Sequence, residues 1–454
     1  MANHDSPSPD PTEPLLRVRR SAPLRGSCRV PGDKSISHRA LLFGALCDGA
    51  VAIDGIGRGG DNVSTARALT ALGARVDFDG ARAVVNGVGL SGFSAAAGAL
   101  DCGNSGTTIR LLTGFLAGQP FETTLFGDAS LTRRPMLRLA APLRQMGASI
   151  EGRSDAARPQ EIFPPLVIRG GRLHGIQTTL PVASAQLKSA LVLAALQADG
   201  ASEIIEPGLS RDHTERMLRH LGAPLVADRA KRSVRVDPAG WNRRLTATSM
   251  SVPGDLSSAA FLMVAALIVP DSDVTIEAVG LNPTRAGVID ALRAMGADLT
   301  TTVTGDAMGE PVGSVRVRHS RLRGTHIDGE LALRSIDEIP ALAMAAAVAE
   351  GVTVFSDLKE LRVKESDRIA SLARELGRAR VPVAEQPDGL TITGVGAGAL
   401  RGGTVQPMHD HRIAMSGAVL GLVSDEETVI PAAEIATSFP SFAETLRALG
   451  ASLT

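Results

Sequence analysis

RVPGDKSISHRALLFGAL, beginning at Arg29, and SVPGDLSSAAFLMVAAL, beginning at Ser251, are one phrase written twice, 222 residues apart. In each, a Val-Pro-Gly-Asp turn opens an Ala- and Leu-rich run that is apolar on nearly every face, the pattern of a helix buried inside a lobe. A shorter phrase recurs six times around them: ALTALGARV ending at Val76, PLRQMGASI at Ile150, MLRHLGAPLV at Val226, ALRAMGADL at Leu299, LARELGRARV at Val381 and TLRALGASL at Leu453. Its glycines, Gly73, Gly147, Gly222, Gly296, Gly377 and Gly450, are 74, 75, 74, 81 and 73 residues apart, which marks an internal repeat. Each phrase reads as an amphipathic helix end, a glycine in the left-handed cap position and an apolar segment that starts a strand.

Ahead of each phrase lies a second, Ala-rich helix and a short β-branched segment, as in HRALLFGALCDGAVAIDGI and IPALAMAAAVAEGVTVFSDL. The unit is therefore strand, buried helix, strand, outer helix, strand, with one further strand expected. Equal units also permit an open solenoid, but the phrase repeated at the midpoint favours two closed lobes of three units each. On this reading the class is α/β. Residues 15–30 and 252–454 form lobe one, residues 31–251 form lobe two as a continuous insert, and the hinge lies near 30–31 and 249–253. Residues 1–14, MANHDSPSPDPTEP, are rich in Pro, Ser and acids without an apolar core. They are expected to be a disordered tail and not a signal peptide.

Composition narrows the function. A chain of 454 residues exceeds the size of one growing core. Its 47 Lys and Arg against 48 Asp and Glu lack the excess positive charge of a nucleic-acid or anionic-membrane binder. Aromatics are 3% and tyrosine is absent, so base-stacking platforms are not expected. The longest apolar stretch, 259–270, is too short to span a bilayer. Cys28, Cys47 and Cys102 form no CxxC pair, which suits a reducing cytoplasm better than a disulfide scaffold.

An anion site must then be local, and the repeat supplies one. If three buried helices run parallel in each lobe, their N-termini gather on one face, and two such faces meet across a cleft rich in unpaired backbone N–H groups. The six starts carry Lys34-Ser35, Asn104-Ser105-Gly106-Thr107, Ser184-Ala185-Gln186, Gly254-Asp255, Asp337-Glu338 and Asp410-His411-Arg412. Outer helices add Arg133 and Arg134, Arg211 and Asp212, Arg285, and Lys364, Glu365 and Arg368. Singly these are ordinary caps and solvated charges; at repeat-equivalent positions they describe a site for phosphate and carboxylate groups. GDKS lacks P-loop spacing and is no sign of nucleotide binding.

PGDKSISHRA, GNSGTTIRL, GDASLTRRPM, PVASAQLKSA, SRDHTE, LRVKESDRI and DHRIAM, in that order, resemble the signatures of the 5-enolpyruvylshikimate-3-phosphate synthase family from about Arg29 to the C-terminus. The resemblance implies a two-lobed inside-out α/β barrel of six βαβαββ repeats, and transfer of the enolpyruvyl group of phosphoenolpyruvate to the 5-hydroxyl of shikimate-3-phosphate, with phosphate released through a tetrahedral intermediate. It implies no metal or organic cofactor. Carried over by motif, shikimate-3-phosphate would meet Lys34, Ser35, Arg39, Ser184, Gln186, Arg211, Asp337 and Lys364. Phosphoenolpyruvate would meet Lys34, Asn104, Gly106, Arg134, Gln186, Arg368, His411 and Arg412, the arginines holding carboxylate or phosphate in paired bonds. Glu365 would deliver a proton to the methylene carbon, Asp337 would orient or deprotonate the hydroxyl, and Lys34 would stabilise charge. His411 either bonds to substrate or holds Arg412. A monomer is expected.

Three departures place the chain nearer the divergent, class II-like subgroup: SAQ at 184–186 in place of a double serine, no tyrosine to touch the shikimate ring, and Thr437 where a lysine is frequent. Arg211 would then take over the ring contact, and Lys34, Lys364 or Arg412 the lysine's charge. Gly106 stands where an alanine crowds some herbicide-insensitive relatives, so room for glyphosate is expected. The rival enzyme reading is the related transferase acting on UDP-N-acetylglucosamine, whose loop carries a reactive cysteine; GDASLTRRPM has none, and Cys102 reads as strand core. A non-catalytic anion-binding repeat protein is the rival from outside enzymology.

Overall fold

The computed structural model describes residues 14–454, so the first thirteen residues of the expected tail lie outside the described residues. Pro14, the last of that tail, accepts a hydrogen bond from the backbone N–H of Ala432.

The second unit shows the common plan: strand Leu100–Asp101, helix Gly106–Leu116, strand Glu122–Phe126, helix Leu137–Gln145, then strands Ser149–Arg153 and Phe163–Arg169. In its sheet the first two strands pair in parallel, and Phe163–Arg169 lies antiparallel between Glu122–Phe126 and Ser149–Arg153. The third unit, Gln177–Val236, and the fifth, His326–Thr393, repeat the same order. The inner helix of each unit carries the Ala-rich run. Leu256–Ile268 is buried at every residue, and the three inner helices of lobe one, Leu256–Ile268, Ile339–Val348 and His411–Gly421, all touch one another. Alanine permits that close approach, while each buried Leu or Ile contributes roughly 1.5–3 kcal/mol.

The first and fourth units exchange their opening strands. Arg25–Arg29 precedes the Lys34–Leu46 helix in sequence but pairs in parallel with Asp273–Gly280 of the fourth unit. Ser249–Ser251 precedes the Leu256–Ile268 helix but pairs in parallel with Asp48–Asp54 of the first. Between these strands the two Pro-Gly-Asp turns bond to each other: Asp33 N–H donates to Pro253 at 2.7 Å and Asp255 N–H to Pro31 at 2.8 Å. The sixth unit is closed by the N-terminal strand Leu15–Val18, which pairs with Thr428–Pro431 on one side and meets Leu453 on the other. Buried apolar side chains form two clusters, one from 16–30 and 256–453, the other from 36–252 joined by Met308.

Five of the six repeat glycines have the positive φ expected of a cap, for example 106° at Gly73 and 101° at Gly450. The fifth differs. The helix Arg368–Arg378 runs through Gly377, and Arg380 takes the left-handed turn at φ 63°. The extra residues in LGRARV prolong the helix past the glycine, so the turn falls three residues later.

Candidate active site

The inner helices start at one cleft. Asp33, Ser105, Ser184, Asp255 and Asp410 each cap an inner helix by accepting a backbone N–H from its first turn. These caps hold the polar side chains beside them at the cleft, where a cavity of about 230 Å³ is lined from both lobes. Of the residues expected from sequence, Lys34, Ser35, Arg39, Gly106, Arg134, Ser184, Gln186, Arg211, Asp337, Lys364, Glu365, Arg368 and Arg412 line it. Asn104 and His411 do not line it.

Asp337 is the centre of charge. Arg211 of lobe two reaches it at 2.8 Å, Lys364 at 3.2 Å and Arg368 at 3.5 Å, and Arg412 donates to its carbonyl. Burial would raise the Asp337 pKa, but Lys364, Arg211, Arg412 and Arg368 hold it well below the usual carboxylate range. Glu365 accepts from Arg368 at 2.7 Å. Burial likewise opposes its charge, and Arg368, then Arg134 and Lys34, keep it ionised. Both carboxylates are thus anions in the substrate-free cleft.

Several expected ligands are partly engaged with the protein itself. Arg39 is 2% exposed and donates to Ser35, Thr214 and Ser189; burial brings its pKa down to about 10. Gln186 accepts from Arg110 at 2.6 Å and donates to Thr107 at 2.9 Å. Asn104 accepts from Arg134 at 2.7 Å and so aims that guanidinium. His411 is buried, with Nε2 unpartnered among the described residues; burial, then Lys34, press its pKa to about 3, so it is neutral.

Sequence reasoning missed Asp61, which holds the Lys34 ammonium at 3.0 Å, and Arg110, whose pKa falls to about 9 through burial and then Arg138 and Arg134. Arg110 had a legible signal: a charge in mid-helix on an otherwise apolar run. It also missed the bidentate pair between Arg138 of lobe two and Glu360 of lobe one, at 3.0 and 3.3 Å, across the cavity lining. Arg285, expected near the cleft, lines the cavity at only 3% exposure and joins Asp33, Asp255 and Glu338. Thr437 lies off the cavity, its carbonyl so close to Gly59 that a Cβ there would stand 2.1 Å away. Cys102 is fully buried, and burial pushes its thiol up to about 12, which leaves no reactive thiolate.

Fold and site together define a class: two-lobed α/β proteins of repeated units that face helix N-termini, cations and paired carboxylates into one cleft. The model of the EPSP synthase family (3-phosphoshikimate 1-carboxyvinyltransferase) matches residues 18–446. A 3-phosphoshikimate 1-carboxyvinyltransferase of Citrifermentans bemidjiense is 49% identical over 94% of this chain and 97% of its own, and one of Thermus thermophilus is 50% identical over 95% and 98%. The solved structure of an EPSP synthase from Acinetobacter baumannii superposes with a TM-score of 0.85 at 41% identity, covering 97% of this chain and 99% of the other. The chain belongs to the EPSP synthase family.

Proposed function

We infer that the chain transfers the enolpyruvyl group of phosphoenolpyruvate to the 5-hydroxyl of shikimate-3-phosphate, releasing phosphate through a tetrahedral intermediate. The observation that carries the reading is the pair of ionised carboxylates, Asp337 and Glu365, enclosed by Lys34, Arg134, Arg211, Lys364, Arg368 and Arg412 from both lobes. Two polyanionic substrates need such a surplus of cations, and an addition–elimination needs a base and an acid with separate surroundings. The activity named for the family and its relatives agrees with this reading.

In the proposed mechanism shikimate-3-phosphate lies against Lys34, Ser35, Arg39, Ser184, Gln186, Arg211, Asp337 and Lys364. Phosphoenolpyruvate lies against Lys34, Asn104, Gly106, Arg134, Gln186, Arg368, His411 and Arg412. Asp337, already ionised, takes the proton of the attacking hydroxyl. Glu365 must first gain a proton, and the donor's own anionic groups provide the means: by neutralising Arg134, Arg368 and Lys34 they remove what holds its pKa down. Glu365 then protonates the methylene carbon, while Lys34, released from Asp61, stabilises the developing charge. The ketal carbon of the intermediate then expels phosphate as the Glu365 carboxylate takes a proton back from the methyl group.

We further propose residues 31–251 and residues 15–30 with 252–454 as the bodies that close on the substrates, turning near 30–31 and 249–253. We also propose that the chain acts as a monomer. No helix among the described residues is long and apolar enough to cross a membrane, and the free cysteines Cys28, Cys47 and Cys102 support a cytoplasmic setting. The test is phosphate release from phosphoenolpyruvate in chelator-treated protein, with shikimate-3-phosphate in one reaction and UDP-N-acetylglucosamine in another. Release in the first alone is expected. Release in the second alone would overturn the acceptor, and silence in both the enzymatic reading.

A further inference from the structure

The longest hairpin of the molecule, strands Asp298–Ala307 and Glu310–Arg318, belongs to lobe one, yet its tip is seated in lobe two. The two turn residues, Met308 and Gly309, both have positive φ, 56° and 83°. Asn and Gly favour such a turn, and methionine is a costly choice there. Its side chain is 5% exposed and packs into the apolar cluster of lobe two, which offsets that cost.

Polar bonds fasten the same tip to the start of helix His213–His220. The Gly309 carbonyl accepts from Arg216 at 2.7 Å. Glu310, 0% exposed, accepts from His213 Nδ1–H through one carboxylate oxygen and from Asn282 Nδ2–H through the other, each at 2.8 Å. Asn282 also donates to Asp212 of lobe two at 2.7 Å, as Thr284 does at 3.1 Å. Residues 212 and 213, though part of lobe two by chain, are therefore tied on two sides to lobe one. Arg211 is the next residue, and its guanidinium crosses the cleft to Asp337 at 2.8 Å.

We propose that Glu310 is a positioning residue for acceptor binding: through His213 it fixes the backbone from which Arg211 reaches the shikimate-3-phosphate site. Glu310 does not line the cavity and touches neither substrate in the proposed arrangement. Its two oxygens receive two donors from opposite lobes, so the start of the helix keeps its place relative to Asp337 whatever the far rim of the cleft does. The inference rests on the acceptor assignment of Arg211 made above.

The test is steady-state kinetics with each substrate varied in turn. Glu310→Ala is expected to raise KM for shikimate-3-phosphate by about tenfold or more while KM for phosphoenolpyruvate stays within about twofold. Glu310→Gln should restore acceptor KM to within about threefold. Its amide oxygen still accepts from Asn282, and its amide N–H can donate to His213 once that ring takes the other tautomer. Thr284→Val, a shape-conserving change that removes both bonds between the Thr284 hydroxyl and Asp212, should raise the acceptor KM alone by about threefold and serves if Glu310→Ala does not fold. A merely structural role would lower the melting temperature, or move both KM values together, without this split. Equal shifts in both KM values, or none, in variants whose parent turns over shikimate-3-phosphate would overturn the proposal; a parent inactive with that acceptor would instead overturn the functional reading beneath it.

Discussion

Arg285 Nε donates to Asp33 at 3.0 Å, and the same guanidinium donates to Asp255 at 2.6 Å. These are the aspartates of the two Val-Pro-Gly-Asp phrases, so one buried arginine holds both crossovers at once. Ser257 accepts a third bond at 2.8 Å and passes its own proton toward Glu338.

Removing that arginine leaves buried carboxylates without a counter-charge. Arg285→Met is expected to cost about 3–5 kcal/mol of stability, read as a lower denaturation midpoint with both lobes affected. An unchanged midpoint would show that the crossovers hold without it.

The two carboxylates should separate by role. Glu365→Gln and Asp337→Asn are each expected to lower kcat by about 100-fold or more. Glu365→Gln should retain phosphoenolpyruvate binding in a direct titration. A variant that keeps more than about a tenth of the parent rate would remove its residue from proton transfer.

Gly106 has no room for a side chain at its present neighbours' positions: a Cβ would lie 2.6 Å from Arg110 Nη1 and 2.9 Å from Arg134 Nη1. Both are ends of flexible side chains, so Gly106→Ala should fold normally. It should displace the two guanidiniums, raise KM for phosphoenolpyruvate and weaken inhibition by glyphosate more than it weakens substrate use. An inhibition curve identical to the parent's would refute this.

Stability should fall on acidification in two stages. Burial, then nearby Lys34 and Arg39, depress His38 to about 3, and His411 is likewise near 3. A depressed folded pKa means that the unfolded chain binds protons first, so stability present above about pH 6.5 is lost as the pH falls. The second stage begins near pH 4.5, where the carboxylates come in. Burial raises Asp33, Asp61, Asp337 and Glu365, but Arg285 for Asp33, Lys34 for Asp61, and the cleft cations for the other two hold each below its ordinary value. Melting temperature against pH should therefore be flat above 6.5, decline gently to about 4.5 and then drop. A curve flat to pH 4.5 would mean that the two histidines are solvated.

Closure should be visible in solution. Adding shikimate-3-phosphate is expected to reduce the radius of gyration, and Arg138→Ala, which removes the pair with Glu360 across the cleft, should lessen that compaction. Scattering unchanged by the ligand in the parent would count against moving lobes.

Much of this protein was legible in its sequence because repetition makes local signals reinforce one another. The six repeated glycine phrases and the Ala-rich runs predict units, inner helices and caps from 3.6-residue periodicity and turn chemistry alone, and the motifs placed Lys34, Arg134, Arg211, Asp337, Lys364, Glu365, Arg368 and Arg412 at one cleft. In LGRARV the glycine predicts the turn at Gly377, but the extra residues prolong the helix and the chain turns at Arg380. What sequence could not supply depends on distance through space. That Asp61 holds Lys34, that Arg138 meets Glu360 222 residues away, and that Met308 crosses into the other lobe's core follow from how two lobes pack. A side chain's pattern along the chain records which face it occupies; its partner, its burial and its charge state are settled only when the lobes bring remote groups within a few ångströms and exclude the water between them.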